Sequence, residues 1–327
     1  MTLLSKSSYL KGLQCPKLLW VYKKDKERIP KPDKLALKKF QTGDIVGVLA
    51  TKLYPKGIDL SEMEFVDNIE ETKYALDKRK PIFEAGFLNN NLFSRTDVLV
   101  PVGKDAWDIV EVKSGTKVKD INLHDVSFQK YVYEKEGLKI RKCFVMHINN
   151  EYVKDGEIEP NELFVQTDVT EKVEEYSEGI EERAKNMLKI IKSKSEPKCS
   201  IGVHCSDPYE CDLKKECWKD IPEGSIFELY RMLNKKRFEL YHKGIIKIKD
   251  IPENVKLNDK QMIQRRLAFA PEGVPSREGN NKIHTNKREI KNFLNNLKYP
   301  IYYLDFETIN PALPKFDGMR PYQRIPF

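Results

Sequence analysis

Arg95-Thr96-Asp97-Val98-Leu99-Val100, a turn around Gly103-Lys104, then Trp107-Asp108-Ile109-Val110-Glu111-Val112-Lys113-Ser114-Gly115 is the stretch that organises the chain. Two runs rich in β-branched and aromatic residues flank three residues of turn composition, which predicts a tight antiparallel hairpin. A turn centred on Lys104 sets Asp97 opposite Glu111, and strand alternation puts Lys113 on the same face. Charges on one face of a hydrophobic strand are costly if buried without partners. Two neighbouring carboxylates can bind Mg2+ or Mn2+ through oxygen, and a lysine beside them can orient a water or steady a pentacovalent phosphate. That is a phosphodiester-cleaving arrangement. An exposed edge hairpin with solvated charges is the competing reading of the same spacing.

Asp97, thirteen residues, then Glu111-Val112-Lys113 resembles the PD-(D/E)xK nuclease signature, in particular its RecB-like branch. Gln129-Lys130-Tyr131-Val132-Tyr133 matches the Gln-x-x-x-Tyr motif that this branch keeps on the following helix, and a set of cysteines matches a third element. Together, over residues 1–220, they resemble the iron-sulfur, CRISPR-associated RecB-like exonucleases and related bacterial proteins. The resemblance implies an α/β fold with a restriction-endonuclease-like mixed central sheet flanked by helices. Asp97 and Glu111 then hold Mg2+ or Mn2+, with the Val112 carbonyl as a further ligand. Lys113 helps activate the attacking water and balances phosphate charge, while Gln129 and Tyr133, four apart on one helical face, place the nucleic-acid strand.

Composition is that of a charge-rich protein with a formal charge of +8, and no apolar run approaches the roughly 20 residues of a membrane span. No secretory signal is visible, so a cytoplasmic location without a membrane partner is expected. The charge is polarised. Residues 1–40 hold eleven Lys or Arg against Asp25, Glu27 and Asp33, whereas residues 149–183 hold twelve acids against three bases. The basic end suits a polyanion, although lysines also serve as plain solubilising surface.

Two short helices broken near Pro16 are expected over residues 5–22, and a helix capped by Asp33 over residues 33–53, with Leu37, Phe40, Ile45, Val48, Leu49 and Leu53 as an apolar stripe. Gly43 and Gly47 in that helix suggest close packing against another backbone. The RecB-like branch carries Gly-x-x-x-His here, and its histidine helps ligate metal. Gly47 occupies the histidine position, so water completes the metal shell, or Glu84 on the strand before the hairpin supplies the missing oxygen, or the site is dead. Asn68 and Glu71 read as a capping box for a helix to about residue 79. Strands near 81–88, 92–100, 107–113, 140–148 and 162–168, with helices at 124–136 and 171–191, complete a mixed sheet covered by helices. His147 reads as a satisfied surface histidine.

Cys199, Cys205, Cys211 and Cys217 recur every six residues in a turn-rich segment with few apolar residues of its own, so ligation is expected to hold it together. Without an export signal, metal ligation is favoured over disulfides. Four thiolates suit zinc or an iron-sulfur cluster. In the resembled family one N-terminal cysteine joins three late ones around a [4Fe-4S] cluster. Carried over, Cys15 in Cys15-Pro16 joins Cys205, Cys211 and Cys217, with Cys199 spare, as a clasp on the nuclease domain. Zinc on Cys199, Cys205, Cys211 and Cys217 competes with this. Cys143 reads as a small buried hydrophobe.

Residues 221–298 are expected to form a helical extension and linker, with helices near 226–242, 259–269 and 285–297 and a connector at 271–286. Residues 301–308, a strand ending in Asp305-Phe306-Glu307, resemble the first motif of the DnaQ-like exonucleases, so 299–327 reads as the truncated start of such a domain. The expected activity is that of a metal-dependent DNA exonuclease acting on single-stranded ends, with DNA-repair or defence proteins as partners. A non-catalytic iron-sulfur or zinc nucleic-acid-binding or scaffold protein is the alternative.

Overall fold

The computed structural model describes residues 2–269 and 285–327. Most of the expected connector at 271–286 lies outside the described residues. The chain divides into two compact units, Met1–Cys199 with Phe306–Phe327, and Ser200–Asp305.

The first unit begins with β1 (Leu4–Ser5), α1 (Lys6–Gln14) and α2 (Pro16–Lys24). The Ser5 hydroxyl caps α1 by accepting from the Ser8 amide at 3.3 Å, and Pro16 opens α2 at the first-turn position where no amide is needed. Asp33 caps α3 (Lys34–Thr51) as expected, accepting from the Ala36 amide at 2.8 Å. The apolar stripe of α3 is not buried as a stripe. Val46 and Ala50 face the core with Leu49 and Leu53 packed beside them, whereas Leu37, Phe40, Ile45 and Val48 are exposed because helical spacing carries them round to other faces. A Cβ on Gly43 or Gly47 would meet nothing within 4 Å, so neither glycine serves close packing.

β2 (Ile58–Asp59), α4 (Phe65–Asp77), β3 (Ile82–Asn89), β4 (Leu92–Val102), β5 (Ala106–Lys113), α5 (Asp120–Lys135) and β6 (Lys139–Ile148) follow. Then come the short α6 (Pro160–Leu163), β7 (Phe164–Asp168), α7 (Thr170–Ser177) and α8 (Ile180–Lys192). The single helix expected over 171–191 is two, because Gly179 adopts the left-handed φ of +70° between them. The Asn68 capping box is also absent. Glu64 is the N-cap, and Asn68 is buried inside α4, its amide donating to the carbonyls of Leu60 at 3.1 Å and Glu84 at 2.9 Å.

The mixed sheet runs β2-β3-β4-β5-β6-β7, with β1 on β4. β3-β4-β5 is an antiparallel meander, and α5 makes the crossover to β6, which is parallel to β5. One face is covered by α1, α4, α5, α7 and α8, with Tyr9 stacked on Phe128 at 4.5 Å between ring centres. The other packs against Val46, Ala50 and Ala312.

The second unit holds α9 (Lys214–Cys217), α10 (Asn234–His242), α11 (Asp259–Ala268) and α12 (Lys287–Asn295). Its core joins Ile226, Leu229, Met232, Leu240, Ile248 and Ile251. The helix expected from 226 is a single 3-10 turn, Ile226–Glu228, and regular helix resumes only at Asn234. The expected strand at 301–308 does not form. Of that stretch only Thr308 enters a strand, β8 (Thr308–Ile309) of the first unit, which pairs with β9 (Ile325–Pro326), and the Glu307 carbonyl extends the pairing by accepting the Phe327 amide at 3.0 Å. Among the described residues no helix is long and apolar enough to cross a membrane.

A candidate active site at a fork in the sheet

The hairpin register is the one the turn predicts. Val98 pairs with Val110, Leu99 with Ile109 and Val102 with Ala106, so one further step sets Asp97 opposite Glu111. There the ladder stops. β3 holds one edge of β4 from Leu92 to Leu99, so β1, which pairs with Leu92 and Phe93, and β5, which pairs from Val98 onward, share the other edge. The strands fork between them, and Asp97 stands at the fork. Its Oδ2 accepts the Val112 amide at 2.6 Å, taking the bond that a regular ladder would have supplied.

The sheet also changes phase here. Ile82 and Ala85 pack into the same core, as do Leu92 and Leu99, although strict alternation would send each pair to opposite faces. The break coincides with Glu84, a non-glycine residue at φ +57° that sits across from Asp97. Left-handed backbone inside a strand costs on the order of 1–3 kcal/mol and persists only when its surroundings hold it. Asn68 does so through the Glu84 carbonyl. The approach is close enough that a Cβ on Gly86 would lie 2.0 Å from Asn68 Oδ1.

Glu111 and Asp125 form the buried floor, at 1 % and 3 % exposure. Asp97, Lys113 and Lys6 reach the accessible lip, the lysine side chains being 27 % and 23 % exposed. Lys113 Nζ donates to Glu111 Oε1 at 2.5 Å and to Asp125 Oδ2 at 2.8 Å. Lys6 Nζ lies 3.1 and 3.2 Å from the two Glu111 oxygens and 3.7 Å from Asp125 Oδ1. Gln129 Nε2 donates to Glu111 Oε2 at 2.7 Å and to Asp125 Oδ1 at 3.1 Å. The Tyr133 hydroxyl reaches Gln129 Oε1 and Ser94 Oγ, both at 3.4 Å.

Gln129 and Tyr133 are fully buried, so they do not place a strand by touching it; they orient the carboxylates from behind. Glu84 is half-buried, and its carboxyl is raised by burial against the pull of Lys6 and Arg95. Gly47 contributes no group. Asp125 and Lys6 were not anticipated. The first was visible as the next member of the 125, 129, 133 stripe on α5. Lys6 carries no local signal, since it reaches Glu111 across 105 residues.

The electrostatics are those of a crowded acidic site. Burial, reinforced by Asp125 and Asp97, pushes the Glu111 carboxyl up to about 7 against the two lysines. Burial likewise raises Asp97. It opposes ionisation of Asp125 too, but Lys6 and Lys113 overcome it and hold that carboxyl below its usual range. Desolvation would lower Lys113, yet Glu111 and Asp125 outweigh it and keep the ammonium charged. Fully ionised, Asp97, Glu111 and Asp125 would outnumber the two ammonium groups, which is why burial and mutual repulsion hold Glu111 and Asp97 toward their neutral forms.

The cysteines are distributed over both units. In the first, Cys15 Sγ is 3.5 Å from Cys199 Sγ, so Cys199, set aside from the sequence as spare, is beside the N-terminal cysteine. In the second, Cys205 and Cys211 are buried, and the Gly202 amide points at Cys205 Sγ at 3.5 Å. This segment does have an apolar core. Trp218, Phe227, Phe238 and Tyr241 pack around Cys205 and Cys217, most of them supplied from outside the cysteine window. Among the described residues no disulfide joins any of the six cysteines.

No curated protein matches the chain. The family described as a domain of unknown function, DUF2779, matches residues 302–327, the segment that carries β8 and β9.

Proposed function

We propose that the chain is a divalent-cation-dependent phosphodiesterase acting on DNA, with single-stranded ends as substrate and a sheet of the PD-(D/E)xK type. The observation that carries this reading is the fork itself, where Asp97, Glu111 and Lys113 converge on one partly open face over a buried polar floor. The donor set fits Mg2+ or Mn2+. It is all oxygen, it gathers negative charge once its carboxyls ionise, and among the described residues Asp97 Oδ1 takes no hydrogen bond. Asp97 and Glu111 would hold the ion, with Glu84 as the candidate for the oxygen that the Gly47 position lacks and the Val112 carbonyl as a further donor. Such an ion lowers the pKa of a bound water and draws charge from phosphoryl oxygens.

The chain's own groups divide the remaining work. Lys113 is kept protonated by Glu111 and Asp125, so it acts as a charged donor to the scissile phosphate and not as the base that takes a proton from water. Gln129 fixes the Glu111 and Asp125 oxygens through its amide, and Tyr133 fixes Gln129. Val112 N–H holds Asp97 in its rotamer. A cleft of about 390 Å3 on the α3 side of the sheet is lined by Ser114, Lys38, Lys39 and Lys315, and its lysines are suited to a phosphate backbone.

A [4Fe-4S] cluster or zinc is proposed on the thiolates; within the first unit the Cys15–Cys199 approach supports ligation, and within the second the buried Cys205 and Cys211 thiols do. Anaerobic purification with iron, sulfide and zinc quantitation separates the two; neither metal above background rejects both. Activity is tested with end-labelled single-stranded DNA, duplex DNA and RNA plus Mn2+. Shortening of the single strand that is lost in Lys113→Ala is expected, and cleavage undiminished in that variant refutes the site.

A further inference from the structure

Lys6 is held by anchors on both sides of it along the chain. β1 pins the preceding backbone to β4, with Leu4 fully buried and its amide bonded to the Asn91 carbonyl at 2.8 Å. The residues that follow are equally fixed. Ser8 is buried, and Tyr9 stacks on Phe128 of α5 while accepting from Arg183 Nε at 3.0 Å. Between these anchors the Lys6 side chain runs into the fork and sets its ammonium on both oxygens of Glu111 and near Asp125. Holding a long cationic side chain in a partly desolvated site is costly unless its charge is needed there.

We infer that Lys6 is a positioning residue that fixes the cation stoichiometry of the site: its ammonium occupies the edge shared by Glu111 and Asp125, so the site takes one divalent cation through Asp97 and Glu111. This rests on the proposed phosphodiesterase site. Glu111 and Asp125 are the two buried carboxylates that a second ion would have to share, and they share two ammonium groups instead. Lys113 comes from the same strand as Glu111, so Lys6 is the independent contribution, brought by the N-terminal helix from outside the hairpin. The N-terminal segment therefore sets the charge of the site, beyond any role its basic surface has in DNA binding.

The test is Mn2+ titration of the full chain by calorimetry, with paramagnetic resonance of free Mn2+ as a second readout. One equivalent that disappears in Asp97→Asn is expected for the unchanged protein. Lys6→Gln should bind a second equivalent, or bind the first at least tenfold more tightly, and Lys6→Arg should restore the original stoichiometry. Lys6→Met, which keeps the apolar stem, serves if the glutamine variant does not fold. Two equivalents in the unchanged protein, or one equivalent with the same affinity in Lys6→Gln and Lys6→Met, overturns the inference while leaving the metal site standing. Absence of any Asp97-dependent Mn2+ binding overturns the proposed function and this inference together.

Discussion

Replacing Glu111 with glutamine should make the cation-free protein more stable at alkaline pH while abolishing its activity. Glu111 accepts from Lys6, Lys113 and Gln129, yet burial and the adjacent Asp125 and Asp97 still push its carboxyl from the ordinary 4.5 up to about 7. Ionising it in the folded chain therefore costs about 3 kcal/mol more than ionising it in the unfolded chain. Below pH 4.5 the group is neutral in both states and contributes no pH dependence. Between 4.5 and 7 the unfolded chain gives up its proton first, so the folded state binds more protons and stability falls as pH rises. Glutamine resembles the protonated acid and does not titrate. The stability gap between Glu111→Gln and the unchanged protein should open from near zero at pH 4.5 to about 3 kcal/mol at pH 8, roughly 6–12 °C in Tm for a unit of this size. Thermal and urea unfolding in chelator at the two pH values measure it. A variant destabilised equally at both values refutes the assignment of Glu111 as a charge held against its own preference, because a merely structural acid would lose the same bonds at either pH.

Saturating Mn2+ should raise Tm more at pH 8 than at pH 5, since the ion favours the ionised carboxylates; a shift independent of pH would count against Asp97 and Glu111 as its ligands. Gly86→Ala should cost about 1–3 kcal/mol in urea unfolding at any pH, because its Cβ meets Asn68 Oδ1 at 2.0 Å, and a neutral result would mean that Asn68 does not hold Glu84. Tyr133→Phe removes two long hydrogen bonds and should cost no more than about 1 kcal/mol, while lowering kcat through the loosened Gln129. Lys38→Glu with Lys39→Glu should weaken single-stranded DNA binding and flatten its salt dependence by a slope of about 1.4, read by fluorescence anisotropy; an unchanged slope places the strand elsewhere.

What the sequence made legible was whatever depends on neighbours in the chain. The hairpin register followed from one turn, and the observed pairs keep it from Val102 back to Val98. The helix starts at Asp33 and Pro16 followed from local capping and proline chemistry. What stayed hidden depends on contacts between distant segments. Asn68 has the composition of a cap, but its amide is used by the carbonyls of Leu60 and Glu84, one of them in another element. The apolar residues of α3 recur often enough to look buried, yet only those on the Val46 line meet the sheet. Residues 301–307 have strand composition, yet the strand begins only at Thr308, where β9 lies alongside.

The same division explains why the candidate site was half visible. Asp97, Glu111 and Lys113 belong to one hairpin, whose pleat decides their common face, and Gln129 with Tyr133 belong to one helix. Neither pattern alone says why the acids can be buried. That requires the fork, which arises because β5 leaves β4 at Val98 and β1 meets it again only at Phe93. Lys6 enters through this gap, directly after the residue that closes it. A regular ladder continued past Val98 would have consumed the Val112 amide, released Asp97 from its rotamer and shut out the Lys6 side chain. The interruption of the sheet is thus the feature that turns an ordinary polar strand face into a concentrated set of carboxylates, and any insertion that re-pairs β4 and β5 beyond Val98 should remove cation binding while sparing the fold.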